Sequence, residues 1–378
     1  MDTEKILHQT RANYCLDCGK CTGSCPVTRV DATYSPRSTI ERVLAGRPEE
    51  LIDNTHLWSC LTCRRCSAVC PSGVDYPAFV IAMRIEARNS GVEGTYAHNA
   101  IMQQLMAAMA HPLQQNRTGW LTDDLETRQQ GEDFYFVGCL PYFDVVFADL
   151  GIVSTQTARS AVRLMNALGI VPVVSDDERC CGADLLLNGE EKDFRRLAEI
   201  NVQVIADSGA QRVIFTCPEG YNAFRNDYPD VVGELPFEVV HLSELLAEHL
   251  DELEFEPLDE VVTYHDPCRL GRYMGVYEPP RAAIQAVPGV ELVEMRHNRE
   301  KALCCGSTGW VNCGRCAKGI QMTRLGQAQA SSARRMITTC PKCRIHLTCA
   351  LKDAGAEFDL KLEDLTDLLA RSLKVGNL

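Results

Sequence analysis

Apolar positions along this chain fall into two textures. From residue 133 onward, short apolar runs alternate with longer amphipathic stretches. Residues 134–138, 170–174 and 212–216 read as strands, and 156–168 and 191–208 as helices. The order then recurs, with strands over 261–264 and 336–339 and helices over 316–330 and 361–373. Such alternation predicts an α/β architecture with a largely parallel sheet. Before residue 133 the pattern is helical and irregular. Ser35-Pro36 opens a helix over 37–45 that Gly46 stops, because Ser caps a first turn and Pro fits inside it. A second helix is expected over 76–89. Helical periodicity over 97–110 places Met102, Met106 and Met109 on one packing stripe, followed by a polar, Gln-rich exit.

Length and composition narrow the class. The 378 residues suffice for two or three domains, each with its own core. Twenty cysteines are far more than packing requires. Residues 1–10 have no apolar core resembling an export signal, so the cysteines are expected to be metal ligands in a reducing compartment. No window approaches the roughly 18 apolar residues of a membrane span. The expectation is a cytoplasmic protein, or one peripheral to a membrane through its partners. The net charge of −13 lies entirely beyond Glu93, because the preceding part holds eleven basic and eleven acidic residues. An acidic surface argues against nucleic acid, which binds through phosphate neutralisation.

The cysteine spacing carries the chemistry. Cys15-x2-Cys18-x2-Cys21-x3-Cys25-Pro26 recurs as Cys60-x2-Cys63-x2-Cys66-x3-Cys70-Pro71. Three evenly spaced thiolates on a tight loop wrap three irons of a [4Fe–4S] cube. The fourth, before proline, reaches the other cube. The expected ligand sets are Cys15, Cys18, Cys21 and Cys70 for one cube, and Cys60, Cys63, Cys66 and Cys25 for the second. Zinc is the alternative, but it has no use for the third cysteine or the trailing Cys-Pro. Arg64 and Arg65 lie inside the second run, where they either stabilise a reduced cluster or dock an acidic partner, or are solvated.

The α/β part is internally repeated. Cys139, Cys180-Cys181-Gly182 and Cys217-Pro218 recur as Cys268, Cys304-Cys305-Gly306 and Cys340-Pro341, at offsets of 129, 124 and 123 residues. The acidic stretch 251–260 reads as the linker. In the second copy Cys268, Cys304, Cys305, Cys340 and Cys343 make five thiols, and the adjacent pair suits a larger or opened cluster with bridging thiolates. The first copy offers Cys139, Cys180, Cys181 and Cys217, with Gly220 in the fifth position. It holds a four-thiolate cluster, another metal, or nothing. Cys313-x2-Cys316 reads as buried small residues or as a metal or dithiol pair, Cys349 as packing, His265 as a structural histidine or as one that orients a thiolate or gives a proton, and Trp58 and Trp310 as shields for clusters. No phosphate-binding glycine loop, serine nucleophile elbow or zinc-protease motif is present.

On the motifs at 15–26, 60–71, 265–268, 304–306 and 340–343, the chain resembles heterodisulfide reductase. Its first part is similar to the ferredoxin-type C subunit and its duplicated part to the B subunit of the cysteine-rich, or CCG, family. The order is that of the fused, membrane-linked form. The resemblance implies a mixed α+β and α/β fold: an α-helical dicluster ferredoxin-type domain (1–95), a helical connector (96–131) and two α/β CCG domains (132–250 and 251–378). It also implies two [4Fe–4S] cubanes and a noncubane [4Fe–4S] cluster on the five thiols of the second CCG domain, with the first left open by Gly220. The implied function is electron transfer within a complex, relaying single electrons through the cubes toward disulfide reduction. The alternatives are a pure relay between a flavoprotein and another redox subunit, or the iron–sulfur subunit of a lactate, glycolate or glycerol-3-phosphate dehydrogenase complex. The implied partners are flavoprotein or other redox subunits and a disulfide or thiol substrate.

Overall fold

The computed structural model describes residues 2–52 and 55–374; the ends of the first and last expected domains, Met1 and residues 375–378, lie outside the described residues. The N-terminal unit is helical. In α1 (Pro36–Leu44) the Ser35 hydroxyl accepts from the Ser38 N–H, as the capping signal requires. Asp75 caps α2 (Tyr76–Asn89), which buries Tyr76, Phe79, Val80 and Met83 against Ile40, Val43, Leu51 and Leu57.

The helix expected over 97–110 is corrected to a broken one. His98, Asn99 and Ala100 adopt left-handed backbone angles, and α3 (Ile101–Met109) begins only after them. The cause is tertiary: Ala97 N–H donates to the Trp310 carbonyl and Tyr96 bridges Val311, so the chain is held extended before it turns. The methionine stripe is buried, as packing predicts.

The duplicated part builds two parallel sheets. The first copy contains β1 (Asp133–Phe136), α4 (Ser154–Ala167), α5 (Glu191–Asp207), β2 (Arg212–Phe215) and β3 (Glu238–His241), with strand order β1-β2-β3. The second contains β4 (Glu260–His265), β5 (Val290–Leu292), α6 (Arg315–Gln329), β6 (Arg335–Thr338), α7 (Pro341–Ala354), β7 (Lys361–Asp364) and α8 (Leu365–Ser372), in order β5-β4-β6-β7. Phe136 aligns with Phe215, and His265 with Thr338. Strand ends thus bring the cysteines that follow them to one edge, where parallel sheets gather their ligands.

Two further expectations are corrected. The strand over 170–174 shrinks to bridges at Val173, because Pro172 has no N–H to extend the ladder. The helix over 361–373 is a strand and then a helix: Lys361–Asp364 pairs with β6, and the Asp364 carboxylate accepts from Thr366 N–H to start α8. The stretch 251–260 is packed, with Leu253 and Phe255 buried and Phe255 bridged to Leu373. One apolar core continues from the first copy into the second, where α4 lies against α8. Among the described residues no helix is long and apolar enough to cross a membrane.

Candidate metal centres

The two N-terminal cysteine loops repeat their backbone as well as their spacing. Cys15 and Cys60 are extended, Asp17 and Thr62 have positive φ, and so do Gly19 and Arg64. The alternation wraps each loop around a concave space. One space is lined by Cys15, Cys18, Cys21, Cys66 and Cys70, the other by Cys25, Cys60, Cys63 and Cys66. The last cysteine of each run, Cys70 or Cys25, therefore lies with the first three of the other run. Burial pushes the Cys25 thiol up to about 12 and the Cys66 thiol well above its ordinary range. A bound cation is what stabilises such buried sulfurs as thiolates.

In the second copy Cys304, Cys305, Cys340 and Cys343 are buried, with Cys268 half-buried beside them. Cys340 ends the β6 segment and caps α7, its Sγ 3.4 Å from the Cys343 N–H. Cys63, from the N-terminal unit, joins this group. Cys304 is held neutral by its bonds to Cys268, Cys305 and Cys63, whereas the Cys63 thiol is pulled down to about 5 by the Cys304 bond. Cys305 is likewise pulled down by Cys304 and Cys343.

Buried polar atoms without protein partners ring the group: His265 Nε2, His346 Nε2, Ser307 Oγ, Arg272 Nη2, Arg65 Nη1 and both amide atoms of Gln321. Such atoms are rare unless something else satisfies them, so the surroundings fit a sulfide-bearing cluster. Among the described residues no three His, Cys, Asp or Glu side chains converge as a single metal ion would need.

In the first copy Cys139 Sγ lies 3.4 Å from Cys180 Sγ; the bonds from Cys139 to Cys180 and from Cys180 to Cys181, and then burial, push the Cys180 and Cys181 thiols up, and burial pushes Cys217 up. At Gly220 a Cβ would stand 3.9 Å from the Cys181 Cβ but 3.1 Å from the Phe215 ring. The position faces the thiols, and an aromatic ring fills the space beside it.

Of the remaining cysteines, Cys313 is half-buried near Cys349. Cys316 packs against the N-terminal core, and Cys349 accepts from Lys318 Nζ at 3.1 Å. Trp58 lies under the Arg84 guanidinium; Trp310 stacks on Phe147 and donates to Asp184. Arg64 is half-buried and faces Asp75 at 3.9 Å, whereas Arg65 is buried.

Sequence reasoning missed the residues that fasten the units together. Arg84 is fully buried in α2 and donates to the carbonyls of Leu57, Cys60 and Leu187. Arg269 donates to the Thr62 hydroxyl, Tyr273 to the Thr62 carbonyl, and Arg272 to the Cys63 carbonyl at 2.6 Å. Lys342 pairs with Asp184 and Glu219. One signal was readable: Lys342 and Glu219 hold the same place after Cys-Pro with opposite charge.

Comparison with known proteins agrees with this division. Residues 11–74 match a 4Fe–4S dicluster domain, and residues 134–225 and 262–348 each match the cysteine-rich CCG domain. One subunit of the dihydromethanophenazine:CoB–CoM heterodisulfide reductase of Methanosarcina barkeri is 30% identical over 95% of this chain and 93% of its own length. The EtfAB:quinone oxidoreductase of Syntrophomonas wolfei is 31% identical over 68% of this chain and 38% of its own length. A solved hypothetical protein from Helicobacter pylori shares the fold, with a TM-score of 0.60 at 10% identity over 98% of this chain and 76% of its own. A dicluster ferredoxin-type unit followed by two CCG units thus runs through nearly the whole chain, which belongs to the family of that heterodisulfide reductase subunit, iron–sulfur oxidoreductase subunits that transfer electrons.

Proposed function

We propose that this chain serves disulfide reduction: its cysteines would hold two cubes and a thiolate-rich centre in the second CCG unit, which would supply one-electron transfer from a redox partner, and two such electrons with two protons would convert a disulfide to two thiols. Cys15, Cys18, Cys21 and Cys70 hold the outer cube, and Cys60, Cys63, Cys66 and Cys25 the inner one. Cys268, Cys304, Cys305, Cys340 and Cys343 hold a noncubane cluster. When bound, these groups supply reversible one-electron transfer. The observation that supports the reading best is the place of Cys63: a member of the second cysteine run, it lies against Cys304 and Cys268.

The protein's own residues do the positioning. Arg269, Arg272 and Tyr273 fix the 60–66 loop to the second CCG unit, and Arg84 fixes it to the first. At the other end Cys18 is exposed, as are Tyr14 and Leu16, so a partner's electrons enter there. A cavity of about 290 Å³ opens where the three units meet, lined by Arg64, Arg269, Tyr273, Asn222 and Glu219 among others. Its position beside Arg269, next to Cys268, suits the approach of a small disulfide.

A second reading is a pure relay toward another redox subunit, favoured by the Phe215 ring that crowds Gly220 in the first copy. The test is iron and acid-labile sulfide per chain on anaerobically purified protein, with EPR before and after disulfide addition. About twelve irons and a substrate-dependent signal support disulfide reduction. About twelve without substrate response favour the relay, and about eight overturn the third centre.

A further inference from the structure

The inference rests on the second CCG unit holding a cluster, and it concerns the side chains around Cys304 and Cys305 rather than the thiols. His265 ends β4 and is fully buried. Arg324 Nε donates to its Nδ1 at 2.9 Å. A guanidinium nitrogen has only hydrogens to offer, so Nδ1 is the acceptor and the proton of the neutral ring sits on Nε2. Burial and the Arg324 charge keep the ring neutral. Nε2 is buried and has no acceptor in the protein.

Arg324 has a neighbour on the same face of α6. Gln321 stands one turn earlier, with its Cγ 3.0 Å from where a Cβ on Gly306 would be, directly beside the Cys304–Cys305 turn. Neither amide atom of Gln321 has a protein partner. His346, one turn after Cys343 on α7, buries an unpartnered Nε2 as well.

The first copy serves as an internal control. Phe136 stands three residues before Cys139, as His265 stands before Cys268. Leu197 touches the Cβ position of Gly182 as Gln321 touches that of Gly306, and Ala223 occupies the place of His346. The copy that lacks the fifth cysteine therefore has apolar residues at all three positions. A purely structural set of polar residues has no reason to follow the cysteine count in this way.

We propose that His265 Nε2–H, locked in that tautomer by Arg324, donates a hydrogen bond into the Cys304–Cys305 centre and makes it easier to reduce. A donor to sulfur withdraws charge from the centre and so stabilises its electron-rich form. His265 is a positioning residue in this role; it takes no electron and loses no proton.

The experiment uses the full chain, purified without air. In wild-type protein carrying ¹⁵N-histidine, pulsed EPR of the third centre in H₂O and D₂O shows a histidine nitrogen coupling and an exchangeable proton. His265→Phe, the side chain of the first copy, removes the share of both signals that His265 contributes, while His346 keeps its own. At a fixed potential it lowers the ratio of reduced to oxidised centre about tenfold, a shift of about 59 mV for one electron. His265→Gln, which keeps an N–H, recovers most of that ratio. Absence of both couplings in wild-type protein overturns the inference, as does a His265→Phe variant with full iron and an unchanged ratio. A wild-type chain with only about eight irons overturns the cluster reading itself, and this inference with it.

Discussion

Lys342 Nζ lies 2.5 Å from Glu219 Oε2, and the two residues are counterparts in the internal duplication: each is the second residue after the cysteine that ends a strand segment. The pair joins the two CCG units across their pseudo-symmetry. Lys342 also meets Asp184, which accepts from Trp310 Nε1. Burial works against the Lys342 charge, but the two carboxylates hold it protonated, well above the ordinary lysine range. Removing one partner leaves an uncompensated buried charge. Lys342→Met is expected to lower unfolding free energy by about 3–5 kcal/mol. Lys342→Met with Glu219→Gln should recover part of that loss. Denaturant titration of the metal-loaded single and double variants checks this, and a fully additive cycle would refute the coupling.

Arg272 joins the cysteine runs to the second CCG unit by donating to the Cys63 carbonyl and, from Nη1, to the Ala302 carbonyl at 2.9 Å. It neighbours the proposed ligands without being one. Arg272→Gln is expected to leave iron and sulfide content near wild type. Electron arrival at the second CCG unit should slow by about tenfold or more, in the range typical of outer-shell changes. Rapid-freeze EPR after mixing with reductant separates reduction of the cubes from reduction of the third centre. Equal rates in both proteins would show that Arg272 does not set the contact.

What was legible in the sequence was local or repeated. The cysteine runs, the Ser35 cap and the strand–helix alternation depend on neighbours a few residues apart. The duplication shows because Cys139, Cys180-Cys181-Gly182 and Cys217-Pro218 recur at nearly constant offsets as Cys268, Cys304-Cys305-Gly306 and Cys340-Pro341. The joints were not legible, because each is a single long-range contact: Arg84 reaches Leu187, Arg269 reaches Thr62, and Lys342 reaches Glu219. Nothing near Arg84 in the sequence distinguishes it from a solvated arginine on α2. The break at His98–Ala100 was hidden for the same reason, since Trp310 imposes it from more than two hundred residues away. Gly220 was visible as a missing ligand, but Phe215 was not visible as what crowds its place.

That crowding yields a prediction for the first copy. Gly220→Cys restores the fifth thiol to a position facing Cys181, yet its Cβ would press on the Phe215 ring at 3.1 and 3.3 Å. Overpacking of this kind costs about 1–3 kcal/mol. The single variant is expected to lose stability and bind no additional iron. Gly220→Cys with Phe215→Leu frees the space and is expected to gain about four irons per chain. Iron analysis after anaerobic reconstitution decides it, and an unchanged content in the double variant would place the barrier elsewhere in the first copy.

The last prediction concerns pH and the Asp364–Asp367 pair at the contact between the two copies. Asp364 is fully buried, caps α8 through the Thr366 N–H, and leaves Oδ2 without a partner. Burial, and then the charge of Asp367, push its carboxyl up to about 7, while Arg344 opposes them. In the unfolded chain the same group titrates near 4. Between about pH 4 and 7 the folded protein therefore holds a proton that the unfolded chain has released, so stability falls as pH rises through this window and levels off above it. Asn caps a helix as well as Asp and carries no charge. Asp364→Asn should match wild type near pH 4 and exceed it by about 2–4 kcal/mol at pH 8. Unfolding free energies measured across that range test the sign. A wild-type curve that rises with pH, or a variant that is less stable at pH 8, would show that the Asp364 carboxylate is ionised and favourably paired in the fold.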